Sequence, residues 1–187
     1  IFTVKDGIFK VLLINRKFDP FKGMWALVGG ALYNDETVDS ALSREVFEKT
    51  GLQNIDFSHV GIYSKIDRAP NMRMVALTYM SVIDSDKVAI LKKTIHTNNA
   101  DWFDIKKLPD MAFDHKQIIE DSISFLREHI YDTAILKNLF PKEFTLPDIH
   151  KAYESVLETK IDRRNFRKKL LKDGIIVDTG KMQIKSG

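Results

Sequence analysis

Acidic and basic side chains cluster in residues 30–52, where the chain reads GALYNDETVDSALSREVFEKTGL. In a helix, Val38, Leu42, Glu45 and Lys49 are spaced at i, i+4, i+7 and i+11, so they share one stripe. The stripe begins apolar and ends charged, which turns a carboxylate toward the side that the helix buries. Carboxylate oxygens bind hard cations such as Mg²⁺, whereas a protonated lysine cannot coordinate a metal. The pattern predicts a functional site in which a carboxylate and an ammonium lie side by side.

The elements that must position this site alternate between strands and helices. Apolar runs predict strands at residues 8–15, 25–28, 57–66, 72–83 and 100–103. A helix is predicted over residues 36–50, with Asp35 as its N-cap and Gly51 as its stop, and another over residues 114–130. This order of elements is typical of an α/β sandwich.

The pattern changes after residue 131. Three helices are predicted there, at residues 134–139 before Pro141, at 146–157 after Thr145, and from Asp162 to the Asp173-Gly174 stop. Apolar runs at residues 175–177 and 182–185 flank a turn and predict a β-hairpin. Three helices followed by a hairpin are the winged-helix arrangement, so we divide the chain into residues 1–131 and residues 132–187.

Positive charge is concentrated in this C-terminal part. Residues 1–131 hold 17 Lys and Arg against 18 Asp and Glu, a net of −1, whereas residues 132–187 hold 12 against 8, a net of +4. Residues 160–172 place Phe166 and Leu170 on one side of a helix and cations on another, which predicts a DNA recognition helix. The residues expected to contact DNA are Arg163, Arg164, Asn165, Arg167, Lys168 and Lys169, with Lys185 on the hairpin. A solvated basic helix is the simpler alternative, which the position before a hairpin disfavours.

Composition excludes several classes of protein. The chain has no cysteine, no apolar run of bilayer length and no signal-peptide pattern, so we expect a cytoplasmic protein without disulfides and without a membrane partner. It opens inside an apolar stretch without a starting Met, so we expect native residues beyond both ends.

The charged segment of residues 30–52 closely resembles the signature of the Nudix family. The matching positions are Gly30, Glu36, Arg44, Glu45, Val46, Glu48, Gly51 and Leu52. In active members, carboxylates and a glycine carbonyl hold Mg²⁺ against a diphosphate. The resemblance therefore implies Gly30, Glu45 and Glu48 as the ligands of any metal, and a structural ion pair between Glu36 and Arg44.

Two positions depart from the signature. Lys49 stands where the family has a further Glu, and Val28 stands where many active members have Pro. We therefore expect a vestigial catalytic site that requires no cofactor, with only a damaged set of ligands for Mg²⁺. A simpler interpretation is an exposed Glu45–Lys49 pair that stabilises the helix by about 0.2–0.5 kcal/mol.

Over nearly its whole length the chain resembles the Nudix-related transcriptional regulators, which join a Nudix domain to a C-terminal winged helix. The shared segments are DRAP at 67–70, AFDH at 112–115, LFP at 139–141, FTL at 144–146 and DRRNFRKK at 162–169. This resemblance implies an α+β fold, with a Nudix α/β/α sandwich on a mixed sheet plus a winged helix-turn-helix. It also implies a homodimer on double-stranded operator DNA and a small-molecule effector, either ADP-ribose, a related nucleotide or a sugar.

Candidate effector-binding residues follow from side-chain chemistry. Arg16 can reach a phosphate, Trp25 and Tyr79 can stack on a base or pack on a sugar, and Asp67 can accept hydrogen bonds from hydroxyls. Arg68 is the fifth candidate. The alternatives are that both aromatic residues belong to the core and that Asp67 and Arg68 form an ion pair within a turn. For His115 beside Asp114, a helix-capping role is favoured over a catalytic pair.

Two other functions remain open. One is an active Nudix hydrolase that cleaves ADP-ribose or another nucleoside-diphosphate compound, with the basic domain serving dimerisation. The other is an RNA-binding protein, although no aromatic platform for RNA bases is visible. Lys49 favours the regulator over the hydrolase, and the winged-helix pattern favours it over the RNA-binding protein.

Overall fold

The computed structural model describes residues 1–131 and 143–181. The predicted short helix at residues 134–139, Pro141, the second hairpin strand at residues 182–185 and Lys185 lie outside these ranges. Within them, no helix is both long enough and apolar enough to cross a lipid bilayer.

The strands form a sheet around β2 and a separate two-stranded pair. The described strands are β1 (Phe2–Lys5), β2 (Ile8–Arg16), β3 (Trp25–Ala26), β4 (Ser58–Tyr63), β5 (Ala76–Met80) and β6 (Thr97–Asp104). β1 and β3 pair with the two ends of one edge of β2, and β6 pairs along the other edge. These pairings and that of β4 with β5 are antiparallel, and the parallel part of the mixed sheet consists of two isolated bridges among the described residues.

The side chains of β2 alternate between two apolar cores, because successive side chains of a strand point to opposite faces. The described helices are α1 (Val38–Thr50), α2 (His115–Glu128), α3 (Leu146–Leu157) and α4 (Arg163–Lys172). Phe9, Val11 and Leu13 lie in a core with buried residues of α2, α3 and α4. Leu12 and Ile14 lie in a second core with Val46, a buried residue of α1. The predicted α/β/α sandwich is confirmed, and the C-terminal helices pack on the same side as α2.

Helix α1 begins two residues later than predicted, because Thr37 and not Asp35 is its N-cap. The Thr37 hydroxyl accepts the Ser40 backbone N–H at 3.2 Å, and the Ser40 hydroxyl accepts the Thr37 backbone N–H at 2.9 Å. Together these bonds satisfy two donors that a helix start would otherwise leave free. The predicted stop was right, since Gly51 has a φ of 77° and its N–H bonds the Phe47 carbonyl at 2.7 Å.

Helices α3 and α4 have the predicted bounds. The side chains of Thr145 and Asp162 cap their N-termini, as predicted. The predicted strand at residues 175–177 is wrong, since described residues 175–181 form no strand. The N–H groups of Ile175 and Ile176 instead bond the Leu170 carbonyl, at 2.9 and 3.4 Å, so these two residues close the end of α4.

Candidate functional site

Arg44 fastens the loop before α1 onto the helix. Its guanidinium bonds both carboxylate oxygens of Glu36, at 2.9 and 2.5 Å, and one oxygen of Glu45 at 2.8 Å. It also donates to the Ala31 carbonyl and lies 4.1 Å from the centroid of the Tyr33 ring. These bonds hold the pKa of Glu36 below its ordinary value. The Glu36–Arg44 pair expected from the signature therefore sits within a larger ionic network.

The Lys49 side chain connects the end of α1 to the loop that precedes the helix. Its ammonium donates to the Gly29 carbonyl and lies 2.5 Å from the Oε2 atom of Glu45, although this approach is not aligned as a hydrogen bond. Gly29, rather than the expected Gly30, thus supplies the carbonyl that meets a cation. Gly30 has a steric role instead, because a Cβ at this position would lie 1.9 Å from Glu45 Oε1.

The carboxylates present do not fit a divalent metal. Glu45 is buried, and its two oxygens face Arg44 and Lys49. Glu48 lies 3.6 Å from Arg44 Nη1 and 3.5 Å from His96 Nε2. Across residues 1–131 and 143–181, no group of three or more His, Cys, Asp or Glu side chains is arranged to hold a metal ion. The expected ligands Glu45 and Glu48 both lie on α1, but their carboxylates face basic groups.

A cavity of about 890 Å³ opens beside this network. Its volume is within the range of about 300–1,000 Å³ that is usual for small-molecule sites. The helical stripe predicted from the sequence lines it, since Val38, Leu42, Glu45 and Lys49 are all on its wall. The cavity therefore lies against the segment that resembles the Nudix signature, and it has room for a small-molecule ligand.

Three of the five effector candidates line this cavity, namely Arg16, Arg68 and Tyr79. Trp25 instead packs edge-to-face against Phe103, with ring centroids 4.5 Å apart, and contacts the core shared with the C-terminal helices. Asp67 is exposed and does not line the cavity. For Trp25 the structure thus agrees with the core interpretation that the sequence left open.

The two arginines on the wall differ in their available charge. Arg68 is buried, and Asp114 accepts two of its hydrogen bonds at 3.0 and 2.8 Å, so the turn pair with Asp67 is wrong. Arg16 donates to the Pro20 carbonyl at 2.8 Å and lies 4.9 Å from the centroid of Phe113. Within the described part of the chain, no carboxylate forms an ion pair with Arg16 inside 4 Å, and Asp19 acts on its charge from a greater distance. Its charge is therefore available to an anionic ligand.

His115 was missed as a cavity residue. Its Nδ1 atom accepts the Leu27 backbone N–H at 3.0 Å, which joins the start of α2 to the loop after β3. Burial lowers its pKa to about 4, so the ring is neutral at pH 7. Asp114 stands at the N-cap of α2, in keeping with the expected capping role, but its carboxylate makes no capping bond and pairs with Arg68 instead. The AFDH segment was the only sequence signal for this group.

Helix α4 presents its cations outward. Phe166 and Leu170 are buried beneath it, as predicted. Arg167 pairs with Asp178 at 2.8 Å, and Lys169 pairs with Asp173 at 2.9 Å. The remaining predicted contacts are all exposed and have no ion pair within residues 143–181: Arg163, Arg164, Asn165 and Lys168.

Comparisons with known proteins agree with this architecture. Residues 1–122 match the family model of the NUDIX domain, so the chain belongs to the Nudix family. Residues 136–187 match the model of the NrtR DNA-binding winged helix domain. The chain joins the two and is a Nudix-related transcriptional regulator of the NrtR type.

Two of the relatives match nearly the whole chain, and a third matches about three fifths of it. The ADPR responsive transcriptional repressor NtrR of Acinetobacter baylyi is 28% identical over 188 residues, which cover 98% of this chain and 74% of that protein. The ADP-ribose pyrophosphatase of Methanocaldococcus jannaschii is 41% identical over 121 residues, 62% of this chain and 69% of that protein. The crystal structure of Shewanella oneidensis NrtR with a 27mer DNA superposes with a TM-score of 0.82 at 25% identity, covering 100% of this chain and 86% of that one.

The buried imidazole predicts a pH dependence of stability. Because the folded chain holds His115 at a pKa of about 4 and the unfolded chain at about 6.5, the unfolded state binds more protons between these values. The free energy of unfolding should therefore fall as pH is lowered through this window, by up to about 3 kcal/mol from this group. His115→Gln, which keeps an acceptor for the Leu27 N–H, should flatten the dependence.

Urea unfolding at a series of pH values measures this effect. His129→Gln is the matched control, because it removes an exposed imidazole at the other end of α2. Equal pH dependence in the His115→Gln variant and the unsubstituted chain would show that His115 is not held neutral.

Proposed function

We propose that this chain is a transcriptional repressor that binds operator DNA through α4 and responds to ADP-ribose in the Nudix cavity. The observation that carries the proposal is the exposure of Arg163, Arg164 and Lys168 on a helix anchored by buried Phe166 and Leu170. Phosphate and base edges are the anionic and polar partners that such a helix fits. The relatives named for DNA and for ADP-ribose support both halves of the proposal.

The cavity has the chemistry to hold ADP-ribose. Arg16 offers a charge to a phosphate, and Tyr79 and Phe113 offer aromatic surface to a base or a ribose. Its volume accommodates a dinucleotide-sized ligand. The names of the Acinetobacter and Methanocaldococcus relatives favour ADP-ribose over a free pentose, the other effector that the sequence left open.

Helix α2 connects the cavity to the DNA-binding helices. At its start, Asp114 and His115 bond groups on the cavity wall. At its end, Arg127 donates to the Val156 carbonyl at 2.8 Å and to the Glu158 carboxylate at 2.7 Å, both at the end of α3. The helix is 14 residues long, which corresponds to about 21 Å. A ligand that shifts α2 at the cavity therefore acts on the element that supports α4.

The assembly and location follow from this function. A single winged helix makes few contacts, and symmetric operators require two copies, so we propose a homodimer in the cytoplasm. We place the boundary between the effector domain and the DNA-binding domain at residues 131 and 132. Sedimentation at micromolar concentration, with and without operator DNA, measures the assembly.

The DNA contacts can be separated by substitution. We assign base contacts to Arg163 and Arg164 and a phosphate contact to Lys168, because Arg167 and Lys169 already pair with acids. Arg163→Ala or Arg164→Ala should cost about 1–3 kcal/mol of binding free energy and relax specificity at one base pair. Lys168→Ala should weaken binding to all sequences and lower the salt slope by about one unit.

Fluorescence anisotropy at several salt concentrations measures these effects, with a palindromic operator from the gene's own neighbourhood as the probe. Lys87→Ala is the control, because it removes an exposed cation from the Nudix domain. If the triple variant of Arg163, Arg164 and Lys168 to Ala bound the operator with unchanged affinity, α4 would not be the recognition helix.

The effector response is the direct test of the proposed function. Addition of ADP-ribose to the protein–operator complex should release the DNA, observed as a fall in anisotropy. Arg16→Ala should weaken ADP-ribose binding by about tenfold or more, because a charge-assisted bond to phosphate is lost. Asp67→Ala is the matched control, since Asp67 lies off the cavity wall, and it should release DNA at the ordinary ADP-ribose concentration. Operator binding that is indifferent to ADP-ribose would refute the proposal.

An active hydrolase is the second candidate, favoured by the identity to the ADP-ribose pyrophosphatase and by the intact Glu36–Arg44–Glu45 network. We expect Mg²⁺-dependent hydrolysis of ADP-ribose to be negligible, because Lys49 stands among the carboxylates. Chromatographic detection of AMP measures this reaction. Turnover at ordinary enzyme rates, on the order of 1–1,000 per second, would establish the hydrolase instead.

A further inference from the structure

We propose that the Lys49 ammonium replaces a divalent cation, so that this chain binds a diphosphate-bearing ligand without any metal. The inference rests on the proposed function, since it concerns how the same cavity takes its effector. It starts from the disagreement between the Nudix signature, which implies Mg²⁺, and the groups that surround Glu45 in this structure.

The local charge supports the replacement. Exchange of a carboxylate for an ammonium at position 49 makes the site more positive by two charges, which is the charge of one Mg²⁺ ion. In this chain Glu36, Glu45 and Glu48 face Arg44 and Lys49, so three carboxylates meet two fixed cations. A carboxylate at position 49 would leave four carboxylates facing a single cation, Arg44. A diphosphate would then be repelled unless a metal ion entered the site.

The geometry puts the ammonium where a hard cation would find oxygen ligands. Lys49 Nζ contacts a backbone carbonyl, that of Gly29, and a carboxylate oxygen of Glu45. Backbone carbonyls and carboxylates are the oxygen ligands that divalent cations take in proteins. A divalent ion placed against these oxygens would be repelled by Lys49, and the other Glu45 oxygen is already bonded to Arg44 at 2.8 Å.

The ammonium remains accessible to a ligand. Lys49 lines the cavity, and 15% of its side-chain surface is exposed. An ammonium has three N–H donors, and the Gly29 carbonyl and Glu45 take at most two of them. The remaining N–H can donate to a phosphate oxygen, so that the ligand would accept the third hydrogen bond of the ammonium. Arg16 lies on the same wall as a further cation.

Calorimetry with ADP-ribose as the probe, in EDTA and in millimolar Mg²⁺, tests the inference. The unsubstituted chain should bind equally well in both buffers. Lys49→Glu should lose affinity by about tenfold or more in EDTA and recover it in Mg²⁺. Lys49→Gln, which is neutral, should bind more weakly in both buffers and gain nothing from Mg²⁺. If Lys49→Glu does not fold, the ADP-ribose affinities of the unsubstituted chain and Lys49→Gln, each measured in both buffers, still test the inference.

Mn²⁺ binding gives a readout that is independent of ADP-ribose. Electron paramagnetic resonance should find free Mn²⁺ with the unsubstituted chain and bound Mn²⁺ with Lys49→Glu. Stoichiometric Mn²⁺ binding by the unsubstituted chain, an ADP-ribose affinity that rises about tenfold or more with Mg²⁺, or unchanged affinity in Lys49→Gln would each overturn the inference. A failure to bind ADP-ribose in either buffer would refute the proposed function, while the Mn²⁺ spectra would still decide the role of Lys49.

Discussion

Strand β2 is the constraint on which the rest of the structure depends. It is paired on both edges, and its two faces are covered by different helices. Leu12 and Ile14 support α1, and therefore the ionic network at the cavity. Phe9, Val11 and Leu13 support α2 and, among the described C-terminal residues, helices α3 and α4. One nine-residue strand thus fixes the sensing side and the DNA-binding side relative to each other, with tightly packed side chains between them.

The cavity is defined as much by charges that are cancelled as by those that remain. Arg68 is neutralised by Asp114, and Arg44 by Glu36 and Glu45. His115 is uncharged because burial disfavours its protonated form. Arg68, Glu45 and His115 belong to the wall, which Arg16 and Lys49 also line as cations. A site of this kind recognises an anion by a few exposed donors held in place by neutral neighbours.

Sequence predicted what depends on local periodicity and caps. The bounds of α3 and α4 follow from Thr145, Asp162 and the apolar spacing, and the stripe from Val38 to Lys49 does line the cavity. The N-cap of α1 was misplaced because Asp35 and Thr37 can both cap a helix. Ser40, which completes the box with Thr37, decides between them.

Contacts between distant residues could not be predicted. Arg68 meets Asp114 across 46 positions of the chain, and His115 meets Leu27 across 88, so both contacts depend on the tertiary fold. The same limit explains Trp25, an aromatic residue suited to a ligand or to a core, which the fold turns toward Phe103. The strand expected at residues 175–177 failed for a local reason, since Ile175 and Ile176 bond back to the end of α4.

The lack of room for a side chain at Gly30 affects how the sequence signature should be interpreted. A side chain there would collide with the Glu45 carboxylate, and that carboxylate is held by Arg44, which also holds Glu36. These positions therefore constrain one another through shape and charge, whether or not any bond is ever cleaved. A signature made of such positions reports the structure of a loop, and a chain can keep it for structural reasons alone. In this chain Lys49 departs from the signature while Gly30, Glu36, Arg44 and Glu45 keep it, so the departure changes the charge of the site and leaves the interlocked positions in place.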